Sequence, residues 1–181
     1  GVDTAYYLVH SMAAGRDFGQ FDLRAAANFA HAAESASIRR IVYLGGLVPD
    51  NADSEHIRSR RDTGERLRQG KTPVTEVRAG IIVGPGSAAF EVMRDLIYHL
   101  PVMITPRWVR AKSPPIALDN LLEYLLQLPA LNEAAGGVYD AAGPETLSYE
   151  EMMRILAAVA GRRAPLIVPV PVLSPRLSSY W

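Results

Sequence analysis

The sequence has no cysteine, no net charge and no hydrophobic run long enough to cross a bilayer. Each absence removes a class of function. Without cysteine there are no disulfides and no thiolate metal ligands. The 19 Lys and Arg balance the 19 Asp and Glu, so no global field favours nucleic acid or an anionic membrane. No apolar stretch reaches the ~18 residues of a transmembrane helix, and no secretory signal is visible; the expectation is a cytoplasmic chain. The four histidines, His10, His31, His56 and His99, show no H-x-x-x-H spacing, so no metal site is expected. There is no G-x-S-x-G elbow. His10 and Ser11 are strand neighbours whose side chains point to opposite faces, which argues against a serine hydrolase. What is present, 181 residues with 49% hydrophobic and 21% charged, suffices for one domain with a real core.

Apolar patterning predicts alternating strands and helices. Ala5 to Val9 reads as a strand buried on both faces. Phe21, Ala25, Phe29 and Ala33 recur every four residues, which is helical spacing. RIVYLGG (40–46) is a second buried-type strand. Ser54 reads as the N-cap of a helix to about Gln69, with Gly70 as its C′ stop. VTEVRAGIIVG (74–84) reads as a third strand. Strand, helix, strand, helix, strand argues for a parallel sheet covered by helices. Further on, Ser87 to His99 reads as a helix, and the four prolines of 100–115 forbid one regular element there. PIALDNLLEYLLQL reads as a strand and a helix capped by Asp119, followed by a short strand at 137–141. Ser148 and Glu151 form an S-x-x-E capping box for a helix that Gly161 ends. The tail from Leu166 carries three prolines.

Parallel α/β sheets bind ligands at the carboxyl ends of their strands. Three such ends are readable: Val9-His10-Ser11, Leu44-Gly45-Gly46-Leu47, and Arg78-Ala79-Gly80 running to Gly84-Pro85-Gly86. Glycine there lets backbone approach a flat ligand; tight strand-to-helix turns would read the same way. SEHIRSRRDTG (54–64) places His56 and Arg60 one helical turn apart on one face. An arginine-rich solvated helix face is the alternative.

Together these pieces resemble the extended and atypical short-chain dehydrogenase/reductase superfamily. VDTAYYLVHS resembles its fourth strand, RIVYLGG its fifth and VRAGIIVGPGS the R-P-G-x-V-Y-G-P-G stretch of its sixth. PIALDNLLEYL and VYDAAGPETLSYEEMM are similar to the substrate-lobe elements that follow. The wording is nearest to NmrA-like and complex I 39-kDa-subunit-like NAD(P)-binding proteins. The resemblance implies the C-terminal part of a doubly wound, Rossmann-like α/β fold, with the Rossmann part at about 1–86 and a small α/β substrate lobe at about 87–181. It also implies that the Gly-rich first turn and strands one to three would precede Gly1. The chain opens on a strand-like run without an initiator Met, so a fragment or processed chain is the expectation, with a hydrophobic sheet edge for a missing half or a homo-oligomer partner to cover.

The resemblance assigns roles residue by residue. The family's Tyr and Lys, one helical turn apart, fall on His56 and Arg60, and Gly45 or Gly46 stands where its Ser or Thr would be. His can carry a proton near neutral pH. Arg can hold charge and donate to ribose or phosphate, but cannot shuttle a proton. Val9, His10, Ser11, Leu44, Gly45, Gly46, Arg60, Ala79, Gly80, Ile81 and Ile82 would line a site for NAD or NADP. Binding by this chain alone is expected to be weak or absent. Two functions remain open. One is an NAD(P)-dependent oxidoreductase or epimerase acting on an unknown small molecule. The other is a non-catalytic NAD(P)-binding regulator or assembly subunit, suggested by the lost hydroxyls.

Overall fold

The computed structural model describes residues 1–10, 18–47 and 55–170, without the side chains of Phe18, His56, Pro106, Arg107, Trp108, Pro169 and Val170. In chain order the elements are β1 (Thr4–Tyr7), α1 (Phe18–Ser35), β2 (Arg40–Gly46), α2 (Glu55–Arg68), β3 (Val74–Ala79), β4 (Ile81–Val83), α3 (Ala88–His99), β5 (Val102–Pro106), β6 (Lys112–Ser113), β7 (Pro115–Ala117), α4 (Leu118–Gln127), β8 (Val138–Ala141), β9 (Leu147–Ser148), α5 (Tyr149–Val159) and β10 (Leu166–Val170). Short 3-10 turns lie at Arg107–Arg110, Leu128–Ala130 and Asn132–Ala134. They form two compact units: Gly1–Gly80 with Asp119–Ala141, and Ile81–Leu118 with Ala142–Trp181.

The first unit is a parallel four-stranded sheet in the order β1-β2-β3-β8. Helices cover both faces, the doubly wound arrangement expected from the alternation. Period-2 side-chain direction sorts the residues. Ile41, Tyr43 and Val74 pack with Ala26, Ala30, Ala33 and Leu67 of α1 and α2, and Tyr7 joins them from β1. On the opposite face Thr75 donates to the Ala134 carbonyl (2.8 Å) and buried Arg40 to that of Leu128 (2.5 Å), tying down the segment after α4. Tyr6 donates to the Leu125 carbonyl (2.8 Å) of α4 itself.

Several local expectations are corrected, though not the sheet edge: β1 pairs only with β2 among the described residues. It stops at Tyr7, and Leu8 and Val9 are exposed rather than buried on both faces. The inward stripe of α1 is Asp22, Ala26, Ala30 and Ala33, while Phe21 faces out. Small side chains let α2 approach so closely that a Cβ on Gly70 would stand 3.1 Å from that of Ala30. Gly70 therefore serves helix contact; it is not in the left-handed conformation a C′ glycine takes. α4 begins at Leu118, which puts Asp119 inside the first turn rather than at the cap. The Ser54 cap lies outside the described residues.

The 74–84 stretch is two strands. The Gly80 amide donates to the Ala141 carbonyl (3.0 Å), whereas Ile81 donates to the Pro114 carbonyl (3.2 Å). The chain thus leaves the first sheet after Ala79 and enters a second ladder. In the second unit β4 pairs with β7 and β5 with β10, both parallel, and β6 with β9 antiparallel. Met93, Ile97, Met103, Val109, Met152, Met153 and Ala157 form its core. Ser87 caps α3; the Ser148–Glu151 box opens α5 and Gly161 (φ 63°) closes it, both as expected. The proline-rich tail nevertheless contains a strand, because Leu166–Val170 pairs along 102–106.

Candidate functional site

The carboxyl ends of three neighbouring strands meet at one end of the first sheet. Gly46 pairs with Ala79, and Ala79 with Ala141. The Leu47 amide donates to the Ala79 carbonyl (2.9 Å), continuing the ladder past the strand end. Four small residues, Gly45, Gly46, Ala79 and Gly80, thus form the end of the sheet. Such an end leaves backbone groups open to a flat ligand.

Arg60 is held at that end from α2. Its guanidinium donates to the Leu44 carbonyl (3.3 Å), and its Cδ would lie 3.4 Å from a Cβ on Gly46. The Tyr43 phenol donates to the Arg60 backbone carbonyl (2.8 Å), so one strand residue fixes the helix turn that carries the arginine. Burial pushes the Tyr43 phenol far above its ordinary value of 10.0; the Arg60 charge opposes this, and the Glu76 carboxylate adds to it. Leu44, Gly45, Gly46 and Arg60 are therefore brought together as the sequence suggests, with Ala79 and Gly80 on the adjoining strand. Val9 and His10 follow the end of β1 and are exposed. Ser11 lies outside the described residues. His56 stands on α2 one turn before Arg60; its side chain lies outside the described residues. Ile81 and Ile82 belong to β4 of the second unit, where they pair with Pro115 and Ile116.

Behind this end lies a polar layer that sequence reasoning missed. Glu76, only 1% exposed in the middle of β3, is ion-paired to Arg68 of α2 and to Arg78 (3.0 Å). The room for it comes from two glycines. A Cβ on Gly64 would stand 2.7 Å from Glu76 Oε2, and one on Gly45 would stand 3.3 Å from Oε1. Gly45 is thus packed against Glu76 and the Tyr43 ring. Between α1 and α2, buried Ser59 donates to buried Asp22 (2.8 Å). Asp22 was legible as the residue four before Ala26 and eight before Ala30 on one helical stripe. Glu76 had no such signal.

Replacing Tyr43 by Phe removes the bond to Arg60 while keeping the ring. We expect a loss of about 1 kcal/mol at neutral pH, measured by urea denaturation. The sign of the pH dependence follows from the raised phenol. The unfolded state loses this proton first, so stability falls as pH rises above about 10. Tyr43→Phe should lose less over that range than the parent protein; equal alkaline losses would remove Tyr43 as a source.

No protein-family model matches the chain, and no curated protein matches it in sequence. Solved structures do match in fold. The NAD-dependent NDP-hexosamine 5,6-dehydratase TunA, of tunicamycin biosynthesis, aligns over 94% of this chain and 64% of its own, with a TM-score of 0.72 and 15% identity. UDP-glucose 4-epimerase of Thermotoga maritima, solved with UDP-glucose, aligns over 93% of this chain and 64% of its own (TM-score 0.75, 9% identity). Triphenylmethane reductase of Citrobacter sp., complexed with NADP(H), aligns over 94% and 57% (TM-score 0.71, 16% identity). The chain thus has the Rossmann-like fold of these epimerases, dehydratases and reductases, and spans less than two thirds of the length of each. Among the described residues no helix is long and apolar enough to cross a membrane, and no group of three or more His, Asp or Glu could hold a metal ion.

Proposed function

We propose that this chain carries part of an NAD(P) site and serves an oxidoreductase or epimerase acting on a small molecule. The observation that carries the reading is the tethering of Arg60 to the Leu44 carbonyl beside Gly46, at the carboxyl end of a parallel strand. This is where such sheets take their ligands. The fold neighbours that use NAD or NADP(H) support the same reading.

The residues present suit the cofactor. Gly46, Ala79 and Gly80 offer backbone to a flat ring without side-chain bulk, and Arg60 offers N–H donors to ribose or phosphate. The cofactor, when bound, supplies hydride chemistry. The chain's own part is to orient and to manage a proton. Arg60 positions and stays charged. His56, one turn earlier on the same helix, is the residue assigned the proton. Val9 and His10, after β1 of the same unit, complete the proposed lining.

Calorimetric titration with NADH and NADPH tests this. No G-x-x-G-x-x-G turn stands in the 181 residues, and that turn normally seats the pyrophosphate on a helix N-terminus. The 181-residue chain should therefore bind more weakly than about 10 µM, and Arg60→Ala should weaken binding by a further ~10-fold. Low-micromolar affinity of the 181-residue chain for either nucleotide overturns the expectation that this chain alone binds weakly or not at all. Binding that Arg60→Ala leaves unchanged removes Arg60 from the site.

A further inference from the structure

The second unit contains a groove of about 740 Å³ between the end of α3 and the segment that follows α5. Tyr98, His99, Arg154, Arg162 and Arg163 line it over apolar residues such as Ile97 and Pro165, and no carboxylate lines it.

The chain carrying the arginines is fixed at both ends. Gly161, left-handed at φ 63°, donates to the Ala158 carbonyl (3.2 Å), and Arg162 N–H donates to that of Ala157 (2.8 Å). This pair of bonds is a Schellman closure. Beyond it, the Leu166 amide donates to the Pro101 carbonyl (3.0 Å). At the end of α3, Leu100 N–H donates to the Leu96 carbonyl (3.0 Å), and His99 Nδ1 lies 2.8 Å from that of Asp95. Backbone and imidazole thus serve these carbonyls, so neither arginine is needed as a cap.

The charges are otherwise distributed unevenly. Arg154 is paired with Glu150 (2.7 Å), which also meets Arg110 (3.4 Å). The Arg162 guanidinium lies 4.5 Å over the Tyr98 ring centre. Stacking holds the guanidinium by its face and leaves its N–H edge to find a partner. Among the described residues neither Arg162 nor Arg163 has an ion-pair partner. Two solvated arginines on a turn would be the plain reading. The groove, the stacking and the doubly anchored backbone add order that solvation alone does not require.

We propose that this groove is a binding site for a small phosphate-bearing anion, with Arg162 and Arg163 as its forked donors. Two unneutralised guanidiniums suit a multiply charged tetrahedral anion, which accepts several charge-assisted hydrogen bonds at once. The site stands independently of the NAD(P) reading.

Inorganic pyrophosphate is the probe, titrated calorimetrically into the 181-residue chain at low ionic strength. Saturable binding at about 1 mM or tighter is expected, weakened at least ~10-fold in Arg162→Gln/Arg163→Gln. Arg94→Gln, which removes a cation of α3 already paired with Glu91 and Asp95, should bind as the parent does. Circular dichroism checks that the double variant is folded. Should it not fold, Arg162→Lys keeps the charge but loses the fork, and should bind ~3-fold more weakly. Three results overturn the proposal: no saturable heat at millimolar pyrophosphate, equal weakening in Arg94→Gln, or Arg162-dependent sedimentation with phosphatidylglycerol vesicles without pyrophosphate binding. The last would assign the arginines to a membrane surface.

Discussion

Glu76→Ala should destabilise the protein by about 3 kcal/mol, read as a lower urea midpoint at unchanged slope. The carboxylate is buried in β3 and holds Arg68 and Arg78. Removing one member of a buried ionic cluster leaves the others uncompensated, which costs about 3 to 5 kcal/mol in a fully buried setting. Here the arginines are 29% and 28% exposed and regain some hydration, which places the effect at the lower bound. The substitution also leaves a void between Gly64 and Gly45, whose missing side chains make room for the carboxylate. Glu76→Gln keeps the shape and some of the hydrogen bonding, so its loss should be smaller. An alanine variant within ~1 kcal/mol of the parent would mean that the ion pairs contribute no net stability.

If the full-length protein oxidises NAD(P)H with a carbonyl substrate, as the oxidoreductase reading expects, His56→Ala should slow that turnover by ~10²-fold or more. The expectation rests on place and on chemistry. His56 lies one turn before Arg60 on α2, and Arg60 reaches the end of β2. No hydroxyl stands at Gly45 or Gly46 to share the work, and an arginine cannot give up its proton. Imidazole is then the group of this constellation able to transfer a proton near neutral pH. The same variant should change cofactor affinity little. Unchanged turnover would remove His56 from the mechanism. Nucleotide binding without turnover in the parent protein would leave the non-catalytic role.

The layer order was legible because burial writes a simple pattern. RIVYLGG is apolar on both sides and became β2, and the Ser148–Glu151 box formed as spaced. What was misread depended on contacts between segments distant in sequence. Phe21 and Ala25 suggested the inner stripe of α1 along with Phe29 and Ala33, yet close approach to α2 favours Ala26 and Ala30, one position on, while Phe29 and Ala33 do pack at the core. The 74–84 run is uniformly strand-like, so only the partners of Gly80 and Ile81 reveal the break. At the site, helical spacing alone related His56 to Arg60, but nothing local marks a mid-strand glutamate as buried. Its arginine at 78 is two residues along the strand, while Arg68 comes from another element. Two glycines far apart in sequence make the space.

The first unit's chain departs at Gly80 and returns only at Asp119–Ala141. β8 must then add beside β3, and α4 and the turns after it must cover Arg40 and Thr75. During synthesis, the first 80 residues therefore emerge with one sheet face uncovered, until the ribosome has delivered the whole intervening stretch of the second unit. Neither unit can finish before the other has begun, so folding is expected to be slow relative to a chain of contiguous units. The interval in which Val42 and Val77 face water, although buried once folded, is the period of greatest exposure to aggregation.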